Sequence, residues 1–280
     1  MDGSMAQTGD RATAGARVAA VDGRVEAWPA LAVLSGHLLV WRRLWRSTIF
    51  TSVLQPLLFF VAIGYGLGSL VGRGGRLVDG VPYLDFVAPG MMASAAMQTA
   101  IGWSTWPVLS AIKWQRTFHA MLATPVGAAD VVVGHLLHVS LRVLVSEGVF
   151  LGFAAAVGAT SAWSAVLALP VVVLVGVAFA APVFAFTTHL NGDGGFNILF
   201  RLVMVPLFLF SGTFFPVSQL PALLEVIARV TPLWHGVELA RDCMLGQLAW
   251  ADLGHTAYLA AWVVGGTWLA VDGLRRRMVV

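Results

Sequence analysis

His135, His138, Arg142 and Ser146 recur at intervals of three or four residues through an otherwise apolar run, with Glu147 beside them. At about 100° per residue, that spacing places them on a narrow arc of one helix face. Ionisable groups in a membrane helix rarely face lipid; they turn toward protein or a water-filled path. Two roles fit this stripe. It lines a translocation path, or it forms an internal network, because polar groups in lipid need partners whatever the function. A metal pair at His135 and His138 is not expected, since no Cys or third His is placed to complete a shell.

Nucleotide chemistry is excluded more sharply. A phosphate-cradling loop of the form G-x-x-x-x-G-K-[ST] needs its lysine to reach the terminal phosphates. The sole lysine is Lys113, preceded by Ile112 and followed by Trp114. Gly64-x-Gly66-x-Gly68 lies in an apolar run and reads instead as a place where a neighbouring backbone approaches closely. H-E-x-x-H and G-x-S-x-G motifs are absent, and Asp130, Glu147 and Asp272 are scattered. No catalytic residue, metal or cofactor is expected on this chain. If ATP drives it, the motor lies on another polypeptide.

The elements that carry these residues are membrane helices. Hydrophobic residues make up 58% and charged residues 11%, against about 25% charged in soluble domains. Runs of about 20 apolar residues suffice to cross a bilayer. Six are expected, over about 47–70, 83–109, 126–158, 165–189, 196–211 and 251–273. Residues 1–27 read as a mobile cytoplasmic tail with no secretory signal peptide. Over 28–46, Leu31, Val33, Leu34, Leu38, Trp41, Leu44 and Trp45 share one arc, while Ser35, Gly36, Arg42, Arg43 and Arg46 occupy most of the other. That pattern predicts an interfacial amphipathic helix; a soluble-side packing helix shows the same pattern. The expected domains are therefore the tail, this helix, and a six-helix unit over 47–280.

Basic residues set the orientation, since they stay on the cytoplasmic side. With both termini inside, the inner set is Arg11, Arg17, Arg24, Arg42, Arg43, Arg46, Lys113, Arg116, Arg201 and Arg275 to Arg277. Only Arg73, Arg76, Arg229 and Arg241 lie outside, and Arg142 is within the membrane. The excess of 17 basic over 14 acidic residues thus marks topology and gives no reason to expect nucleic acid. The lone cysteine, Cys243, falls on the outer side and forms no internal disulfide.

Two short regions break the pattern. Residues 110–125 carry Lys113, Arg116 and His119 with Trp114, Phe118 and Met121, cations beside large apolar groups. Buried interface centres favour such residues; membrane-surface anchors use them too. In 212–250, Phe214-Phe215-Pro216 ends a helix because Pro removes a donor and clashes with the preceding turn. Two short helices are expected over 220–230 and 233–245, separated by Thr231-Pro232. They form either a re-entrant hairpin dipping from the outer face or a loop with two surface helices.

Those regions carry a resemblance. Ser211-Gly212-Thr213-Phe214-Phe215-Pro216-Val217-Ser218-Gln219-Leu220-Pro221, Thr231-Pro232-Leu233-Trp234-His235 and Val237-Glu238-Leu239-Ala240-Arg241 resemble the hallmark region of ABC-2 type transporter permeases. Tyr83-Leu84-Asp85-Phe86-Val87-Ala88-Pro89-Gly90, Gln115-Arg116-Thr117-Phe118 and Met121-Leu122-Ala123-Thr124-Pro125 are similar to the branch of nodulation-factor lipooligosaccharide exporter and daunorubicin-type exporter permeases. The resemblance covers about residue 28 to the C-terminus.

It implies an all-α, six-helix membrane half that pairs with a second permease, identical or homologous, in a bacterial-type inner membrane. Two separate ATPase subunits, holding ATP and Mg, would drive an amphiphilic substrate: a lipid-linked saccharide, a glycolipid or a hydrophobic drug. The family's coupling helix falls on about 111–123, giving Lys113, Trp114, Gln115, Arg116, Thr117, Phe118 and Met121 as the contact with the ATPase. Phe214, Phe215, Pro216, Pro221, Pro232, His235, Glu238 and Arg241 are expected at the outer gate or hairpin. The rival class is an ion-gradient-driven secondary transporter of hydrophobic compounds, which the paucity of buried acids disfavours. A membrane enzyme lacks any nucleophile–base or metal constellation.

Overall fold

The computed structural model describes residues 29–68, 77–160 and 163–278. The expected tail, Arg73 and Arg76 lie outside these residues, as do the side chains of Arg42, Arg43 and Arg46. The described residues are almost entirely helical and contain no strand, only an isolated bridge between Val78 and Val81.

Helix α1, Pro29–Val61, continues into a π-helical turn, Ala62–Leu67. Then come α2, Tyr83–Ser104, and two short helices, α3, Trp106–Lys113, and α4, Thr117–Leu122. Helix α5 is Ala128–Ala156, and a 3-10 turn, Trp163–Leu167, leads into α6, Ala168–His189. Helix α7, Gly194–Phe210, contains a π-helical stretch, Leu199–Met204. Helices α8, Ala222–Val230, and α9, Pro232–Leu245, two short helices joined at Thr231 and called the hairpin below, precede α10, Asp252–Met278.

Among the described residues, α5, α6 with its lead-in turn, and α10 are long and apolar enough to cross a membrane. They coincide with the third, fourth and sixth expected spans. The other three expected spans are helical, in α1, α2 and α7, without meeting that measure of length and composition. Helix α1 runs unbroken through the expected junction at 46/47 between interfacial helix and first span. No Pro or Gly interrupts it between Gly36 and Pro56, so the helical hydrogen bonds continue.

Helix α6 is the centre of the packing, touching α10, α2, α5 and α9. Close approach depends on small residues, as in membrane bundles generally. A Cβ on Gly266 of α10 would stand 2.7 Å from Pro182 of α6, and one on Gly134 of α5 would stand 2.7 Å from Val33 of α1. Of the three glycines expected to admit a neighbour, Gly64 does so most tightly, against Leu84.

Candidate functional site

The polar stripe on α5 is buried. His135, His138, Arg142, Ser146 and Glu147 are all 8% exposed or less. Arg142 donates from Nε to His138 Nε2 at 2.9 Å, and its guanidinium lies 3.5 Å from the centre of the Trp103 ring of α2. Ser146 bonds Glu147 Oε1 at 3.1 Å. The fold also supplies a third histidine that sequence reasoning did not place. His37 of α1 stacks on His138 at 4.8 Å and meets His135 edge-on at 5.8 Å. Only His37 and His138 stack, and His138 Nε2 is taken by Arg142. Among the described residues no set of three metal-binding side chains is assembled.

At the C-terminal end of α2, helices α3 and α4 form a knob. Pro107 at the start of α3 presets a helical φ where the missing N–H costs nothing. Arg116 joins the two helices in a left-handed conformation, φ 52°, which a non-glycine residue adopts at a cost. Lys113, Trp114, Gln115, Arg116 and Thr117 are exposed, Trp114 by 57%, and Met121 is half-buried. Phe118 corrects the sequence reading. Expected to face a partner, it is 1% exposed and stacks on Phe184 of α6 at 6.0 Å. The fold turns it inward because a six-residue helix has too little surface of its own to hold itself against the bundle. Lys113 Nζ donates to the Asn191 carbonyl at 2.7 Å, and Arg277 Nη1 donates to the carbonyls of Thr188 and Leu190. Arg277 thus satisfies carbonyls at the end of α6, and Lys113 one in the turn that follows it.

At the other end of α2 sits the α8–α9 hairpin. Gly212, with φ +81°, turns the chain where α7 ends. Tyr83 donates from its hydroxyl to the Phe214 carbonyl at 3.2 Å, and Ser94 bonds Thr213 at 2.9 Å. A Cβ on Gly90 would meet the Thr213 backbone at 2.7 Å. Arg241, 7% exposed, pairs with Glu238 at 2.6 Å, donates to the Gly212 carbonyl at 2.7 Å and covers the Phe86 ring at 4.2 Å. Pro216 and Pro232 are buried, Phe214 and Phe215 half-buried, and Pro221 exposed. The Thr231 side chain accepts from the Trp234 N–H, capping α9. His235 faces His255 of α10. Cys243, expected on the outer side, is buried, and burial pushes its thiol up to about 11.

Among the cavities of the described residues, two lie between the long helices. One, about 300 Å³, lies between α1, α2 and α7 and holds Gln55, Gln98, Thr99 and Trp103. Arg142 lies 3.5 Å from the centre of the Trp103 ring that lines it. The second, about 680 Å³, is almost wholly apolar and lies among α6, α7, α8 and α10, with Phe179, Phe186, Ile227 and Trp262 in its lining. Helix α7 keeps no buried residue from Leu199 to Phe210, and leaves Leu202, Val205 and Leu209 exposed.

The family profile "ABC-2 type transporter" matches residues 30–245, most of the chain. The chain belongs to the ABC-2 type transporter family. Among similar proteins is Nodulation protein J of Sinorhizobium fredii (strain NBRC 101917 / NGR234), 31% identical over 252 residues, covering 90% of this chain and 95% of the relative. Nodulation protein J of Rhizobium leguminosarum bv. viciae is 34% identical over 250 residues, 89% and 95% of the two chains. A more distant relative, Inner membrane transport permease YadH of Escherichia coli (strain K12), is 23% identical over 216 residues, 73% and 78%.

Within this ABC-2 chain, sequence reasoning missed Gln55, Gln98 and Thr99, whose signal was an amide or hydroxyl in an otherwise apolar run. It also missed His37 and His255, which single-helix periodicity cannot pair with anything.

Proposed function

We propose that this ABC-2 chain is the permease subunit of an ATP-binding-cassette exporter for an amphiphilic substrate. The observation that carries the reading is the cavity between α1, α2 and α7. It offers uncharged Gln55, Gln98 and Thr99 beside the Trp103 ring, with apolar Pro56, Phe200 and Met204 in the same lining. Amides and hydroxyls recognise a polar head group by hydrogen bonds, while neighbouring apolar surface suits a lipid or drug-like tail. A lipid-linked saccharide, glycolipid or hydrophobic drug fits that division.

The uncovered face of α7 supports pairing with a second permease, identical or homologous, so that two such cavities face one path. Six spans, with both termini in the cytoplasm of a bacterial-type inner membrane, agree with the placement of basic residues. The exposed Trp114, Lys113 and Arg116 form the contact with one of the complex's two ATPase subunits, which hold ATP and Mg; Phe118 joins that contact to α6. His135, His138, Arg142, Ser146 and Glu147 act as an internal network, with Arg142 against the Trp103 ring that lines the cavity. Helix α8 leaves Leu223, Val226 and Ile227 more than half exposed, which supports a hairpin seated in the outer membrane boundary, re-entrant or interfacial.

Proteoliposomes test this directly. With the partner ATPase present, movement of a fluorescent glycolipid or drug probe requires ATP hydrolysis, and the permease alone shows background turnover. Movement by the permease alone, driven by an imposed ion gradient and indifferent to ATP, would assign it to secondary transport instead.

A further inference from the structure

The α3–α4 knob is tied to more than α6. Lys113 Nζ donates to the Asn191 carbonyl at 2.7 Å, and the Trp106 ring meets Phe196 edge-on at 5.3 Å. Asn191 lies in the turn between α6 and α7, and Phe196, 2% exposed, sits in the first turn of α7. That turn is folded tightly. A Cβ on Gly195 would stand 2.7 Å from the Leu190 side chain, and the Phe196 N–H donates to the Asp193 carbonyl at 3.0 Å. Two contacts from α3, one polar and one aromatic, therefore grip a compact element at the start of α7.

The two long helices that meet the knob differ in how they can respond to it. Helix α6 is packed by α10, α2, α5 and α9. At this end Thr187 donates to the Ser104 carbonyl of α2 at 2.9 Å, and Arg277 of α10 holds the Leu190 carbonyl at 2.8 Å. Close-packed interiors leave little room to yield. Helix α7, by contrast, has no buried residue from Leu199 to Phe210. It is π-helical over Leu199–Met204, and Pro206 follows with no N–H to give the preceding turn. Bends in helices concentrate at such features, and π-helical turns recur at functional sites. Phe200 and Met204 of that stretch line the cavity of about 300 Å³ beside Gln98 and Trp103.

We propose that Trp106 and Lys113 pass the movement of a bound ATPase into the first turn of α7, and that α7 yields at Leu199–Met204, shifting Phe200 and Met204 in the wall of the substrate cavity. This rests on the knob as the ATPase contact and on that cavity as the substrate's. Lys113 stands next to Trp114 in the chain, so the contact and the tie are adjacent. Trp106, Lys113 and Phe196 act as positioning residues, since none of them lines the cavity. Helix shifts of about 1–2 Å are the usual scale of such transitions, enough to change which side chains a cavity of this size presents.

The test uses the permease–ATPase complex in proteoliposomes with a fluorescent glycolipid as probe, and hydrogen exchange over residues 196–204 measured without probe. In the wild type, binding of the ATPase with a non-hydrolysable ATP analogue should change exchange over that stretch. Trp106→Leu and Phe196→Leu should keep the ATPase associated and hydrolysing, lower the probe moved per ATP about fivefold or more, and remove the change in exchange. Lys113→Met should lower both readouts, and Lys113→Arg, which keeps a donor near the Asn191 carbonyl, should restore them. If Phe196→Leu fails to fold, Trp106→Leu carries the comparison, since Trp106 is 45% exposed. The route is overturned if Trp106→Leu and folded Phe196→Leu transport with full coupling. It is also overturned if a wild type that binds the ATPase shows no change over 196–204, a result that leaves the permease reading standing. A wild type that binds no ATPase overturns both.

Discussion

The α3–α4 knob and the α8–α9 hairpin are both short helical pairs attached at opposite ends of α2, and they are held in opposite ways. The hairpin is stitched to α2 through Tyr83, Phe86, Gly90 and Ser94, with Arg241 buried beneath it. The knob is anchored by Val108, Leu109 and Ile112 of α3 and by Phe118 of α4 on Phe184, and shows Trp114, Gln115 and Arg116 to solvent. A polar group buried in the protein needs a partner there, so the face of α9 toward α2 is spent on its own chain, while α8 leaves Leu223, Val226 and Ile227 exposed. The knob's outer face is left exposed as well. Embedded position and outward-facing surface are thus separate properties within one short segment, as Phe118 and Trp114 show four residues apart.

The largest expected effect tests the anchor. Phe118→Ala should cost roughly 3–5 kcal/mol of stability through the cavity it leaves, read as a lower Tm of the purified permease. An unchanged Tm would mean that the knob holds itself by other contacts.

Trp114→Ala should leave Tm alone and weaken co-purification of the ATPase by about 2 kcal/mol or more, the cost of losing an interface anchor. Retained association and transport would make the exposed tryptophan a membrane-surface residue instead.

On the hairpin side, Arg241→Met strands the Gly212 carbonyl and Glu238, and should cost about 1–3 kcal/mol. Its readout is Cys243, whose thiol is buried and raised to about 11. Maleimide labelling at pH 7 should be slow in the wild type and faster in the variant. Fast labelling of the wild type would show that the hairpin is loosely held after all.

The smallest effect is a slope with pH. Burial, then the hydrogen bond to Asp252 and that group's charge, raise Asp242 to about 7. The folded state therefore holds a proton that the unfolded chain has released. The stabilisation is complete below about pH 4 and is lost as pH rises through about 7. Asp242→Asn should flatten the fall in Tm between those values; an identical slope in the variant would remove Asp242 as its source.

How much of this was legible beforehand follows the range of each interaction. The all-helical membrane class, the three long apolar helices, the hairpin's two short helices and the absence of a phosphate loop all follow from composition, periodicity and proline placement within a few turns of chain. Those are local properties, and hydrogen bonding in a helix is local too. The inward turn of Phe118, the third histidine beside His138, the facing of His235 and His255, and the burial of Cys243 depend on how separate helices rotate and slide against each other. Tyr83 and Phe214, which join the hairpin to α2, are 131 residues apart in the chain. Periodicity assigns a residue to a face but names no partner for it. Here the partners were chosen by close packing at Gly90, Gly134 and Gly266, where a missing side chain lets two backbones meet and fixes which residues stand opposite one another.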